Sequence, residues 1–325
     1  MSDRASVFVE APARLHFGVL DLRGNLGRCF GGLGAAIPSP SLLLEAQPAG
    51  RVTAEGSDAE RAAEFAERFL RDRQLSGGVH LKVHRAIPSH SGLGSGTQLG
   101  LAVARVLAEL HGLSLDPFEL ARSTGRGKRS AIGTWAFSGG GFIVEGGRHP
   151  GTERIAPLIA RLTVPSDWRY VVAVPSGGRG LSGEDEARAF EQLPAPPEGE
   201  AERVAHLVLM QLLPSLIDDD LPSFGAALSA IQRITGAWFA TQQGGVFAPG
   251  PTEELIAAMV RSGAAGVGQS SWGPAAYGLA GSDAAAARLA RELGPLVGAA
   301  GEIFQGRFAA EGARVWRGPQ RPLTD

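Results

Sequence analysis

The residues best suited to chemistry lie in one short stretch, Ile87-Pro88-Ser89-His90-Ser91-Gly92-Leu93-Gly94-Ser95-Gly96-Thr97-Gln98. Before it, Val79, Leu81 and Val83 alternate with His80, Lys82 and His84 as in a strand with one wet face. After it an amphipathic run begins near Thr97. Glycines let main-chain amides turn into a concavity, and a helix start adds unpaired N–H groups and the positive end of a dipole. The hydroxyls of Ser91, Ser95 and Thr97 add donors. Together these make an anion site, and the expected phosphate contacts run from Ser89 through Ser91, Gly92, Leu93, Gly94, Ser95, Gly96 and Thr97 to Gln98. It is not a Walker loop, because no Gly-Lys-Ser/Thr follows. Nor is it the dinucleotide fingerprint, because Gly92-Leu93-Gly94 lacks the third glycine at its required spacing.

A second concentration of charge is Arg126-Gly127-Lys128-Arg129. The chain has 31 lysines and arginines, yet its only lysines are Lys82 and Lys128, so a lysine inside that cluster stands out. The net charge of -2 provides no field that would draw the protein to nucleic acid or an anionic membrane, and neither is expected as a partner. Cys29 is the only cysteine, which excludes an internal disulfide and a cysteine-cluster metal site. His80, His84 and His90 have no carboxylate spacing nearby that would complete a zinc set. No apolar run approaches the ~18 residues needed to span a bilayer. Asp3 and Arg4 follow Met1-Ser2 with no apolar leader between, so the expected compartment is the cytoplasm.

These groups need elements to position them. Val7–Glu10 and Arg14–Leu20 read as strands broken at Pro12, Gly24–Gly34 as a loop, and Leu42–Ala46 as a further strand. Glu60–Arg71 has helical spacing. Leu99, Ala102, Val103, Val106, Leu107 and Leu110 mark one buried face of a helix that Gly112 ends. Asp116, Pro117 and Glu119 form a capping box for the next helix. Phe142–Glu145 and Tyr170–Val174 read as strands, and helices are expected near 183–192, 201–213, 222–240, 252–262 and 283–293. At 325 residues two domains are expected, 1–160 and 161–325. Helices and strands interleave without regular βαβ alternation, which favours an α+β architecture over a doubly wound sheet.

The loop at 87–98 resembles the second signature of the GHMP kinase superfamily, which lies over nucleotide phosphates. Ala11-Pro12-Ala13-Arg14-Leu15-His16-Phe17-Gly18 is similar to its first signature, and Gly266-Val267-Gly268-Gln269-Ser270-Ser271 to its C-terminal one. The order is kept across nearly the whole chain. The resemblance implies a two-domain fold, with an N-terminal domain like ribosomal protein S5 domain 2 and a ferredoxin-like C-terminal domain. Where many of these kinases carry an aspartate base in Ser-Gly-Val-Asp, this chain has Ser130-Ala131-Ile132-Gly133, and glycine supplies no base. Arg14–Gly18 with Asp21-Leu22, Leu26-Gly27-Arg28, Gly31–Gly34, Gly125–Gly133 and Gly268–Pro274 resemble a non-kinase branch, the β-ribofuranosylaminobenzene 5'-phosphate synthases.

That branch joins phosphoribosyl pyrophosphate to 4-hydroxybenzoate or 4-aminobenzoate and releases pyrophosphate and carbon dioxide, in the synthesis of tetrahydromethanopterin-type carriers. The resemblance implies three anionic groups held close together, for which Arg14, Arg28, Arg126, Lys128 and Arg129 are the candidate cations. It also implies that Asp21 steadies the sugar, that His16 orients a phosphate or the para group, and that Gln269, Ser270 and Ser271 reach the substrate from the second domain. Magnesium is expected to ride on the pyrophosphate, with no organic cofactor. Trp135, Phe137 and Phe142 read as core before they read as a site for an aromatic acid. A homodimer is the default assembly. An ATP-dependent small-molecule kinase and a catalytically inactive ligand sensor are the alternatives.

Overall fold

The computed structural model describes residues 6–125, 127, 129–178, 180 and 183–319. The expectations for Arg126 and Lys128 lie outside the described residues. β1 (Val7–Asp21) and β2 (Phe30–Ala49) form a long antiparallel hairpin at the centre of a seven-stranded sheet. β3 (Thr53–Gly56), α1 (Ala59–Asp72) and β4 (Gly78–Arg85) follow, with β3 parallel to β4 and β4 antiparallel to β2. α2 (Ser95–His111), α3 (Pro117–Ser123) and α4 (Ile132–Gly139) cover this sheet, and β5 (Phe142–Glu145) and β6 (Leu158–Leu162) extend it.

β7 (Arg169–Val174) opens the second sheet. α5 (Gly183–Glu191), α6 (Glu200–Leu207), a π-helical turn (Val208–Leu212), α7 (Leu213–Ile217) and the long α8 (Leu221–Gln243) precede α9 (Pro251–Arg261). β8 (Val267–Gln269), β9 (Ala276–Ala280), α10 (Asp283–Val297) and β10 (Glu302–Gly306) complete an antiparallel sheet in the order β10-β7-β9-β8. β11 (Arg314–Arg317) then pairs with β1. The last strand therefore returns to the first sheet, which a contiguous division after residue 160 does not anticipate.

The local chemistry explains these elements. Asp116 accepts from the Glu119 amide at 2.7 Å and the Glu119 carboxylate accepts from the Asp116 amide at 3.2 Å, which is the capping box of α3. Gly112 closes α2 in the left-handed region at φ 66°. α2 is buried nearly all round rather than on one face, because it lies between β1 and β2 on one side and α1, α3 and α4 on the others. Along β7 the residues alternate between two apolar clusters: Tyr170, Val172 and Val174 join the large core shared with the first sheet, and Val171 and Ala173 face Leu255, Met259 and Leu293 of α9 and α10.

Two expectations at the N-terminus change. Pro12 does not break β1: the strand runs through it with a register shift between Pro12 and Ala13, where proline's missing N–H is tolerated. The glycine-dense stretch is loop only as far as Cys29, and from Phe30 it is strand. Its glycines serve packing. A Cβ on Gly34 would lie 2.4 Å from Ile132 Cγ2 and 2.5 Å from the Leu15 carbonyl oxygen, so α4 reaches the sheet only because this position is bare.

Gly34→Ala is accordingly expected to destabilise the fold by about 1–3 kcal/mol through overpacking. Urea denaturation checks this, and a midpoint equal to the parent's would refute the close-approach argument.

Candidate active site

The anion loop itself is largely structural. Leu93 is fully buried, and the Ser91 hydroxyl donates to the Pro88 carbonyl at 2.7 Å. Ser89 donates to Asp58 at 2.7 Å. Gln98 is fully buried and donates to the Gly133 carbonyl at 2.9 Å, so it faces the core and not a ligand. Gly92 (φ 84°) lies under the turn 270–273, where a Cβ would come within 2.1 Å of the Ser270 carbonyl oxygen. Gly94 (φ 87°) is the residue before α2; the Thr97 amide donates to its carbonyl at 3.0 Å, and the Ser95 and Gly96 amides, at the start of the first turn, have no partner within the helix.

A cavity of about 500 Å³ opens beside that first turn, and Thr97 is the residue of the loop that lines it. Strand β1 supplies Arg14 and His16 to the same cavity, the segment before α4 supplies Arg129 and Ser130, and the turn after β8 supplies Gln269 and Ser271. Arg14 donates through Nη1 to the Gly92 carbonyl. Burial pushes its guanidinium down to about 10, the Glu186 carboxylate offsetting part of this, and it stays charged near neutrality. Arg129 donates to Glu186 at 2.6 Å and stands over the Phe190 ring at 5.0 Å. Thus two guanidiniums, each held by a fixed partner, face one space.

His16 is 7 % exposed, and burial followed by the charge of Arg14 pushes its imidazole down to about 3. It is a neutral ring at physiological pH. Its amide donates to Ser270 Oγ at 3.0 Å, and its Nε2 lies 3.3 Å from Ser130 Oγ. Gln269 is a brace: its side chain accepts from the Ala248 amide at 2.8 Å and donates to the Ser271 carbonyl at 3.2 Å. Ser270 is fully buried and donates to the Gly92 carbonyl at 2.7 Å, while Ser271 sits in the left-handed region at φ 57° on the cavity wall.

Besides Ser270 and the loop residues other than Thr97, Asp21 and Arg28 are not on the cavity wall either. Asp21 accepts from the amides of Arg23 and Gly24 at 2.6 and 3.1 Å, closing its own turn, and Arg28 donates to the Gly147 carbonyl at 3.0 Å. Their charge was visible in the sequence, but their local partners were not. Trp135, Phe137 and Phe142 pack away from the cavity, the Trp135 indole donating to the Ala156 carbonyl at 2.9 Å. The cavity's aromatic wall is Phe190, Phe239 and Trp272, in edge-to-face contacts with centroids 4.9–5.8 Å apart. Of these only Trp272 stands in a motif that the sequence marks.

Glu145 was also missed. It is fully buried and accepts from the Ala131 amide at 2.6 Å, its second carboxyl oxygen has no hydrogen-bond partner, and burial pushes its carboxyl up to about 7. Gly133 lines the cavity as well, and a Cβ there would lie 2.9 Å from Thr97 Cγ2. The position that holds an aspartate base in many superfamily kinases therefore has little room for any side chain.

The family model of the GHMP kinases N terminal domain matches residues 59–140, and that of the GHMP kinases C terminal matches residues 212–298. The chain is 34% identical to the β-ribofuranosylphenol 5'-phosphate synthase of Methanothermobacter thermautotrophicus, covering 95% of this chain and 96% of that one. It is 33% identical to the enzyme of the same name from Archaeoglobus fulgidus, over 85% and 88%. Among solved structures, homoserine kinase from Cytophaga hutchinsonii aligns with a TM-score of 0.72 at 18% identity, over 97% and 99% of the two chains. Lactococcus lactis galactokinase aligns with a TM-score of 0.67 at 14% identity, over 95% of each. These structural likenesses are likenesses of fold.

The carboxyl of Glu145 generates a prediction about pH. Its folded value of about 7 exceeds the ordinary 4.5, so between those values the folded state binds a proton that the unfolded state has released. Stability contributed by this group is fully present below pH 4.5 and falls as pH rises towards 7. Glu145→Gln should flatten that fall relative to the parent in denaturation midpoints measured from pH 4.5 to 8. An unchanged pH dependence would show that the carboxyl is not buried as described.

Proposed function

The chain belongs to the GHMP kinase superfamily and, within it, to the family of β-ribofuranosylphenol 5'-phosphate synthases, and on that premise we propose that this enzyme joins phosphoribosyl pyrophosphate to a para-substituted benzoate with release of pyrophosphate and carbon dioxide. The observation that carries the reading is one cavity bearing both the guanidiniums of Arg14 and Arg129 and the aromatic wall of Phe190, Phe239 and Trp272. A donor with a 5'-phosphate and a pyrophosphate needs the first, and a benzoate needs both.

In this reaction the bond from the anomeric carbon to pyrophosphate breaks, and its electron pair leaves with the pyrophosphate. The ring carbon bearing the carboxylate bonds to the anomeric carbon. The bond to the carboxylate then breaks, carbon dioxide leaves, and its electron pair restores the aromatic ring. No protein nucleophile is required. Arg14, Arg129 and the first turn of α2 are suited to the charge that develops on the leaving group, and positioning supplies up to ~7–11 kcal/mol of the barrier in favourable cases. The relatives' name is that of a phenol, the product that 4-hydroxybenzoate yields and 4-aminobenzoate does not, which favours the hydroxy acid. We place the product on the route to tetrahydromethanopterin-type carriers.

Among the described residues no three histidine, cysteine, aspartate or glutamate side chains converge on a metal, and the cavity carboxylate of Glu186 is engaged by Arg129. That donor set fits magnesium that arrives on the pyrophosphate and is held by phosphate oxygens and water. When bound, it would share the neutralisation of the leaving group with the arginines. A kinase reading has Gly133 against it, where the usual base is missing and crowded out.

Purified protein incubated with phosphoribosyl pyrophosphate and carboxyl-labelled 4-hydroxybenzoate or 4-aminobenzoate is expected to release labelled carbon dioxide and pyrophosphate in equal amounts. ATP consumption with candidate alcohols and no carbon dioxide would overturn the reading in favour of a kinase. Arg14→Ala should lower kcat at least ~10²-fold, and Trp272→Ala should mainly raise KM for the benzoate.

A further inference from the structure

The two guanidiniums of the cavity have different surroundings. Arg14 lies against the glycine loop: its Nη1 donates to the Gly92 carbonyl, and a Cβ on Gly94 would lie 3.2 Å from its Cγ. That puts it beside the start of α2, where the Ser95 and Gly96 amides have no partner within the helix. Arg129 lies instead against α5. Glu186 and Phe190 stand four residues apart on that helix and so share a face. Glu186 accepts from Arg129 Nη2 at 2.6 Å, and the guanidinium carbon stands 5.0 Å from the centre of the Phe190 ring. Nε and Nη1 of Arg129 have no hydrogen-bond partner among the described residues, and neither is sealed from solvent, the side chain being 30% exposed.

Phe190 also joins this guanidinium to the aromatic wall. It meets Phe30, Phe239 and Trp272 edge to face with centroids 5.7, 5.8 and 5.5 Å away, and all four rings line the cavity. Phe30 reaches the cluster from a left-handed backbone at φ 69°, a conformation that bulky residues rarely adopt. A planar fork and an aromatic slot that meet at one ring match a flat aromatic acid better than they match a pyrophosphate. Glu186 also interacts with Arg14, so two positive charges stand against one negative and an entering carboxylate is still attracted. We propose that Arg129 receives the carboxylate of the acceptor while Phe190, Phe239 and Trp272 hold its ring, which leaves Arg14 and the first turn of α2 to the pyrophosphate. That the acceptor is a para-substituted benzoate rests on the function proposed above. In that reaction the ring carbon bearing the carboxylate is the atom that bonds to the anomeric carbon, so a clamp on the carboxylate also aims the nucleophile. Once that bond has formed, the bond to the carboxylate breaks, its electron pair returns to the ring, and the neutral carbon dioxide has no ion pair to hold it. Arg129 is thereby the residue that separates a benzoate from the phenol or aniline with the same ring and no acid.

Calorimetric titration of the full protein tests the division without relying on turnover, with 4-hydroxybenzoate, phenol and inorganic pyrophosphate as ligands, the first two also after saturation with pyrophosphate. The parent is expected to bind 4-hydroxybenzoate at least ~10-fold more tightly than phenol. Arg129→Gln should erase that preference, weakening 4-hydroxybenzoate at least ~10-fold and pyrophosphate by less than ~3-fold, and Arg14→Gln should do the reverse. Arg129→Lys, which keeps the charge and loses the planar fork, should fall between parent and Arg129→Gln, and serves if the latter fails to fold. Phe190→Leu should weaken 4-hydroxybenzoate and leave pyrophosphate unchanged; unaltered benzoate binding in that variant would remove the ring from the subsite. Failure of the parent to bind 4-hydroxybenzoate, equal binding of phenol, or an Arg129→Gln variant that loses pyrophosphate as strongly as 4-hydroxybenzoate would each overturn the assignment. Carbon dioxide release with an unchanged KM for 4-hydroxybenzoate in Arg129→Gln would count against the subsite alone. Absence of that release from a parent that binds 4-hydroxybenzoate through Arg129 would instead count against the reaction alone.

Discussion

Beside the shared apolar core, the Gly92 carbonyl is where hydrogen bonds from β1 and from the turn after β8 meet. It accepts from the Arg14 guanidinium of β1 and from the Ser270 hydroxyl at 2.7 Å, and Ser270 Oγ in turn accepts the His16 amide at 3.0 Å. Side chains are excluded from the seam: a Cβ on Gly273 would lie 2.1 Å from the Ser91 carbonyl oxygen, as one on Gly92 would from that of Ser270. A buried carbonyl left without donors is costly, so the start of the glycine loop, β1 and the turn after β8 are ordered as a unit. Arg14 and His16 of β1 and the turn at 270–273 are positioned at this seam.

That fastening also sets the electrostatics. Arg14 is tied back to main chain and Arg129 to Glu186, so neither guanidinium has to reorganise when an anion enters. Their planar forks suit phosphate and carboxylate better than a flexible ammonium would. The same burial that fixes Arg14 also desolvates His16, and the adjacent positive charge keeps the imidazole from becoming a third cation. The cavity therefore holds two kinds of polar group, fixed cations and a neutral acceptor, with an aromatic wall alongside.

Much of this was legible in the sequence. The capping box at Asp116, the helix before Gly112 and the strand at Phe142 follow from local rules, and each acts within a few residues of chain. Arg14, Thr97 and Ser271 stood in motifs and do line the cavity. What residue type alone did not show were the partners. Asp21 and Arg28 are satisfied by neighbouring backbone, and Gln98 turns to Gly133. Glycines read as loop at Gly31–Gly34 instead sit in β2, because close approach of α4 is a tertiary demand that leaves no periodic trace. Phe190 and Phe239 come from helices whose apolar spacing looks like ordinary core, and Glu145 ends a short strand with no flanking signal at all.

The disposition of carboxylates ties these threads together. A kinase acting on an alcohol benefits from an acid in the cavity to take the hydroxyl proton. The proposed reaction, in which a carbon atom attacks, needs no such base, and in it a free carboxylate would face a polyanionic donor and a benzoate. At 5 Å and an effective dielectric of about 20, each such like-charge pair costs roughly 3 kcal/mol. Around this cavity Glu186 is neutralised by Arg129, position 133 has no side chain, and Glu145 is recessed behind Ser130 and His16. Under the proposed reaction, such an arrangement keeps carboxylate charge away from the anions that the cavity would hold.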